Sequence, residues 1–409
     1  MTDNPATTIR QFLHGQAEAQ QAFLAELVRI PSDNPPGDCA AHAEKTAALL
    51  TALGLTVEAH AVPAADCQAH GMQSVTNLIV RRRFGDGPTI ALNAHGDVVP
   101  PGDGWTTNPY GAEIHDGMMY GRGVAVSKSD FATFAFALLA LEQIAPTLKG
   151  TIELHFTYDE EAGGLLGPAW LLAQDLTRPD MAVAAGFAYS VVTAHNGCLH
   201  LAVEITGKSA HAADPGSGHD ALAAANKVLS ALYTVRETYT EKQSAVDGIG
   251  SPSLVVGLIE GGINTNVVPD RVTLRMDRRL IPEEDAKQAE ADLRDLIAAT
   301  VAPLDGIACK VERILLAEPL RPIDGTDRLA EVFCRHASAV MGAPIITAGV
   351  PLYADARLYA TAGVPTIMYG TGPRDILDAN AHRADERIRL SDLAKATEVV
   401  ALAVAEILS

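Results

Sequence analysis

Three short segments place ionisable side chains where a short, largely apolar run ends. Ala94-His95-Gly96-Asp97 follows residues 88–93, and alternation along an extended chain puts His95 and Asp97 on the same side. A carboxylate so placed can orient the imidazole as the neighbour of a metal ligand does. Tyr158-Asp159-Glu160-Glu161-Ala162-Gly163-Gly164 follows the alternating run 151–157. Adjacent glutamates at a strand end point in different directions, so one can ligate a cation while the other takes a proton from water. Asn380-Ala381-His382-Arg383 follows a strand-like run at 366–369 and the glycine-rich Gly370-Thr371-Gly372. Each segment has a plainer reading: a capped loop, a solvated acidic turn and a surface histidine. Together, His95, Glu161 and His382 make a His₂Glu set, a combination used by zinc hydrolases that keep one position open for water. Only a fold can bring the three together.

Other catalytic signatures are absent or incomplete. Gly121-Arg-Gly123-Val-Ala-Val126 lacks the third glycine of a dinucleotide fingerprint, and there is no HExxH, phosphate-binding GxxxxGK or GxSxG. Ser127-Lys128-Ser129 reads as residues beside a helix N-cap rather than a nucleophile pair. The five cysteines, Cys39, Cys67, Cys198, Cys309 and Cys334, are widely spaced with no CxxC, so neither a disulfide framework nor a cysteine-based zinc site is expected. That usage fits a reducing cytoplasm.

The elements that must position these residues are legible as alternating helix and strand. Residues 20–28, 43–55 and 131–144 carry helical apolar patterns, and 75–80, 88–93 and 151–157 read as strands. This rhythm predicts an α/β domain with a mostly parallel sheet flanked by helices. From Gly197 the texture changes to strand 199–205, helix 221–234, strands 253–259 and 271–275, helix 283–300 and strand 308–315, the order of a small α+β sandwich. Residues 1–196 and 312–409 are therefore expected to form one discontinuous catalytic domain, with 197–311 inserted into it.

Composition bounds the function. Fifty Asp and Glu against 31 Lys and Arg give a net charge of −19, which disfavours nucleic acid as a partner. At 409 residues the chain exceeds the size at which one core stops growing, so two domains are expected. The longest apolar stretch, 131–141, is too short to span a bilayer, and the first residues lack an export signal, so neither membrane nor export is expected.

With these residues in view, the chain resembles the M20 metallopeptidase family, which includes acetylornithine deacetylases, succinyl-diaminopimelate desuccinylases and carboxypeptidase G2. The resemblance runs in order through His95-Gly-Asp97, Tyr120-Gly-Arg-Gly123, Asp159-Glu-Glu161-Ala-Gly-Gly164, Gly207-Lys-Ser-Ala-His211, Gly261-Gly-Ile-Asn-Thr-Asn266, Asp277-Arg-Arg279, Ala354-Asp-Ala-Arg357 and Ala381-His382. It implies a zinc-exopeptidase-like catalytic domain, with the inserted segment as a lid and homodimerisation domain. It also implies His95, Glu161 and His382 as metal ligands, Asp97 behind His95, and Glu160 as general base. By the same resemblance His211 acts as an oxyanion donor from the partner subunit, and Asn266, Arg279 and Arg357 contact a small carboxylate-bearing substrate. The activity implied is hydrolysis of an amide-type C–N bond.

The sequence departs from that pattern twice. The family's metal-bridging Asp, in Gly-Arg-Gly-x-x-Asp-x-Lys, is replaced by Val126, and its Glu-Pro-Thr ligand segment is missing after Pro179-Asp180. One divalent ion is thus expected rather than two: zinc, with manganese or cobalt as alternatives, and His195 or Asp130 as a candidate extra ligand. Two other outcomes stay open: a deaminase-type C–N hydrolase on a remodelled site, where Tyr353 reshapes the pocket, or an inactive homologue that binds an amino-acid-like ligand.

Overall fold

The computed structural model describes residues 4–374 and 377–409, so the first three residues, part of the segment used above to argue against export, lie outside the description. Its contacts divide the chain into two compact units. One comprises residues 1–193, 322–348 and 354–409; the other comprises 194–321 and 349–353.

The first unit is built on an eight-stranded sheet. Across it the strands run Val57–Ala61, Thr76–Arg83, Thr151–Thr157, Thr89–His95, Met181–Ala184, Thr366–Met368, Val191–His195 and Thr347–Val350. The four central strands, Thr151–Thr157 to Thr366–Met368, are parallel to one another. Thr76–Arg83 and Val57–Ala61 add antiparallel pairs on one flank. The expected mostly parallel sheet flanked by helices is what forms.

Burial explains why these segments take these forms. The helix Lys128–Glu142 is apolar nearly all round, as a helix enclosed on every side must be. It packs against the helices Ala17–Val28 and Leu390–Ile407 and against the strand Thr89–His95. Central strands are covered on both faces, so Ile90, Leu92, Ile152 and Leu154 are all inaccessible to water. Parallel strands end in register, with His95 opposite Thr157. The loops that follow them therefore emerge along one edge, the edge at which open α/β sheets place their sites.

The second unit is a four-stranded antiparallel sheet in the order Ser253–Gly261, Arg271–Leu280, Gly197–Thr206, Ala308–Ala317. The helices Ala221–Thr238 and Ala286–Val301 cover one face, where Leu199, Leu201, Val203 and Ile205 meet Val228, Leu232, Leu293 and Ile297. The last strand runs beyond residue 311 because it keeps pairing along Gly197–Thr206 down to Cys198. No helix among the described residues is long and apolar enough to cross a membrane.

Candidate metal centre

His95 closes its strand as a buried residue, and its backbone is pinned by Ser127. The Ser127 hydroxyl accepts from the His95 N–H and donates to the His95 carbonyl, both at 3.0 Å. Ser127 thus fixes the histidine instead of capping the helix it precedes, and Lys128 is spent on the Ile30 carbonyl at 3.0 Å. Between His95 and Asp97 only glycine fits, since a Cβ on Gly96 would lie 2.4 Å from the Tyr158 ring.

The His95 Nδ1 lies 3.0 Å from the Asp97 carbonyl and 3.4 Å from Asp97 Oδ1. Both are acceptors, so in the neutral ring the network assigns the proton to Nδ1 and leaves the Nε2 lone pair for a metal. Nε2 stands 3.9 Å from Glu160 Oε2. Fully buried, Asp97 accepts the backbone N–H of Glu160 at 3.2 Å, that of Glu161 at 3.1 Å, and the Asn34 amide at 3.0 Å. It therefore anchors the acidic turn as well as the imidazole.

That turn is a short 3₁₀ segment, Glu160–Ala162, after the strand Thr151–Thr157. Ligand atoms of His95, Glu160 and Glu161 all lie within 4.8 Å of one another. His382 touches this cluster at Glu161, with Nε2 3.3 Å from Oε1, and its side chain is half exposed. Its φ of 61° is left-handed, as are those of Asn380 and Asp385, so this loop holds three non-glycine residues in a sparsely populated region. Of the expected ligands, His95 and Glu161 share this cluster with Glu160, while His382 meets it through Glu161 alone.

Further carboxyl groups pack behind the cluster. Gly164, at φ 73°, has no Cβ where Asp355 Oδ1 approaches to 2.2 Å of the position one would take. Buried Asp159 Oδ1 and Asp355 Oδ2 find no hydrogen-bond partner. Burial, and then neighbouring acids, push these groups up: Asp355 to about 8 beside Glu160, Glu160 to about 8 despite His95, and Asp159 well above its usual range beside Asp355 and Asp97. Burial opposes charge on His95, yet Glu160, Asp97 and Glu161 hold it well above its usual value. His382 is raised by its bond to Glu161. So many acids around few positive groups make a site whose charge a cation would balance.

The other expected residues fall as follows. Arg357 is buried and donates Nη2 to the Gly163 carbonyl at 2.6 Å, which ties down the acidic turn. Asp130, considered as an extra ligand, accepts the Thr371 N–H at 2.7 Å, and burial pushes it up to about 7. His195 belongs to the second unit, where its Nδ1 contacts the Asn196 carbonyl at 2.8 Å. The Val126 segment is held by Glu386, which accepts the N–H groups of Ala125 at 2.9 Å and Val126 at 3.3 Å and pairs with Arg122. An isopropyl group offers no donor there. Asp180 accepts the Thr89 N–H at 2.7 Å and starts a strand, Met181–Ala184, without any acidic residue.

In the second unit, His211 and Asn266 lie in neighbouring exposed loops, joined by an isolated bridge between His211 and Val267. The Ala213 N–H donates to His211 Nδ1 at 3.0 Å, so the proton of the neutral ring sits on Nε2. Arg279 donates Nε to Asp277 Oδ1 at 2.9 Å, and its guanidinium lies over the Tyr353 ring. Sequence spacing gave Asn34 and Asp355 no role at the centre. A lone buried amide and an acid at a helix start carry no local signal, and only the packing around Asp97 and Gly164 reveals them.

Residues 91–406 match the profile of Peptidase family M20/M25/M40. A succinyl-diaminopimelate desuccinylase of Wolinella succinogenes is 30% identical over 336 residues, covering 78% of this chain and 85% of its own. An acetylornithine deacetylase of Erwinia tasmaniensis is 31% identical over 277 residues, 67% of this chain and 68% of its own. Among solved structures, an aminopeptidase of Bacillus cereus superposes with a TM-score of 0.71 at 25% identity, covering 96% of this chain and 98% of its own. An M20 family metallo-carboxypeptidase of Sulfolobus solfataricus reaches 0.77 at 16% identity, with 95% and 99% covered, a likeness of fold.

Proposed function

Since the chain belongs to peptidase family M20/M25/M40 and is a hydrolase of C–N bonds, we propose that it cleaves an amide bond in a small, carboxylate-bearing substrate with one divalent cation. The observation that carries this reading is the convergence of His95, Glu160 and Glu161 within 4.8 Å, in front of two buried carboxyl oxygens, Asp159 Oδ1 and Asp355 Oδ2, that have no hydrogen-bond partner. Family enzymes are metal-dependent, usually through zinc. His95, Glu161 and His382 would hold the ion, and the donor set fits one cation, because the Val126 position offers nothing to bridge a second. When bound, such an ion supplies Lewis-acid polarisation of water and of the amide carbonyl.

The chain's own residues do the rest. Glu160 takes the proton of the attacking water on its carboxylate and returns it to the departing nitrogen. Asp97 keeps His95 in the Nδ1–H form and fixes the backbone of both glutamates, while Arg357 secures the same turn through Gly163. In a homodimer, the partner subunit's His211 presents Nε2–H to the developing oxyanion, and Arg279 with Asn266 holds the substrate carboxylate.

Metal analysis and a panel of N-acyl amino acids test this. Wild-type protein is expected to carry an ion that Glu161→Gln removes, and to hydrolyse at least one member. Glu160→Gln should retain the ion and lose roughly 10²–10⁴-fold in kcat. Activity that survives Glu160→Gln sinks the proposed base, and metal-free protein inert across the panel overturns the hydrolase reading in favour of a binding protein.

A further inference from the structure

We propose that Cys198, His200 and Asp277 form a separate binding site for a thiophilic divalent cation of the zinc class, on the second unit's sheet opposite its helix-covered face. The register of two strands builds it. In Gly197–Thr206, Cys198 and His200 are two residues apart and so share a face; in Arg271–Leu280, Asp277 pairs with His200 and Arg279 with Cys198. Four polar side chains thus occupy a two-by-two square, while the intervening Leu199 and Leu201 point into the core.

The geometry suits a metal. Cys198 Sγ lies 3.2 Å from His200 Nε2 and 3.7 Å from Asp277 Oδ2, and His200 Nε2 lies 2.8 Å from the same Oδ2. A triangle with these edges has a circumscribed radius of about 1.9 Å, just under the roughly 2.0–2.3 Å of zinc bonds to oxygen, nitrogen and sulfur. A cation at bonding distance from all three therefore sits a little off their plane. Without it, the Cys198 thiol and the His200 Nε2–H both point at Asp277 Oδ2. Arg279 already occupies the other carboxylate oxygen, Oδ1, at 2.9 Å, which orients Oδ2 toward the site. Cys198 is buried beneath, whereas His200 and Asp277 are about one-third exposed, leaving a fourth position open to solvent. Binding would release the thiol proton.

Sulfur makes the test independent of the first centre, which contains none. Chelator-treated full-length protein is titrated with cobalt(II), and the near-ultraviolet thiolate-to-cobalt band is recorded. The band is expected in wild type, expected unchanged in Glu161→Gln and Glu160→Gln, and expected to vanish in Cys198→Ser. His200→Ala, which keeps the thiol, should weaken the cobalt midpoint on the order of tenfold or more. A wild-type titration without a thiolate band, or a band that persists in Cys198→Ser, overturns the site. Either result leaves the hydrolase reading standing, because that reading fails only by the loss of N-acyl hydrolysis.

Discussion

Asp97 carries more of this centre than its place beside a histidine suggests. Its two oxygens receive three N–H groups in addition to facing His95, so replacing it removes an acceptor that no nearby group can supply. Asp97→Asn is expected to weaken zinc binding by about 10–100-fold, read by chelator competition, while the fold is retained by circular dichroism. The same competition assay should depend on pH. In the cation-free site Glu160 keeps its proton to about pH 8 and His95 is held protonated well above its usual value. The proton on the ligand His95 must leave for the ion to enter, so affinity should climb as the pH rises. A pH-independent affinity would show that the charged cluster is not where the ion binds.

Elements set these residues by close approach. Gly96 lies under Tyr158, and Gly96→Ala should cost about 1–3 kcal/mol of stability through overpacking, measured as a lower urea midpoint, and displace His95 with it. Within the sheet, Glu153 bonds His155 of its own strand, Arg81 of the neighbouring strand and Thr177. Burial works against its charge, but these partners prevail and hold it at about 2, below the ordinary 4.5. A carboxyl lowered on folding contributes stability above its unfolded value, and that contribution is lost as pH falls from about 4.5 through about 2. Glu153→Gln should accordingly flatten this part of the acid-unfolding profile. Periodicity made the strand Thr151–Thr157 and the core of the helix Lys128–Glu142 legible, because both carry long, regular apolar patterns. It did not reveal Val57–Ala61, a half-exposed edge strand, or the three-residue strands Glu113–His115 and Met118–Tyr120, which are too short to show a period. The cysteine spacing likewise hid Cys198 with His200 and Asp277, since strand pairing rather than sequence distance joins them.

At the scale of the whole molecule, the proposed homodimer has a direct consequence for catalysis. If His211 serves the partner's centre, mixing Glu160→Gln with His211→Ala protein and allowing subunits to exchange should restore activity. Random pairing makes half the dimers mixed, each with one intact site, so about a quarter of wild-type activity is expected. No recovery after verified exchange would place His211 with its own subunit's centre. The sequence by itself determined the alternation that makes a parallel sheet, the second texture beginning at Gly197, the candidate ligand types His95, Glu161 and His382, and the absence of acids at Val126 and after Asp180. These are matters of residue type and local period, which one chain displays in order. Only the tertiary structure decided that His95 meets Glu160 and Glu161 with His382 against Glu161, that Asp97 and Arg357 fasten the acidic turn, and that Cys198, His200 and Asp277 share one face. Such meetings depend on which strands pair and in what register, and residues far apart in the chain acquire that relation only when the sheets form.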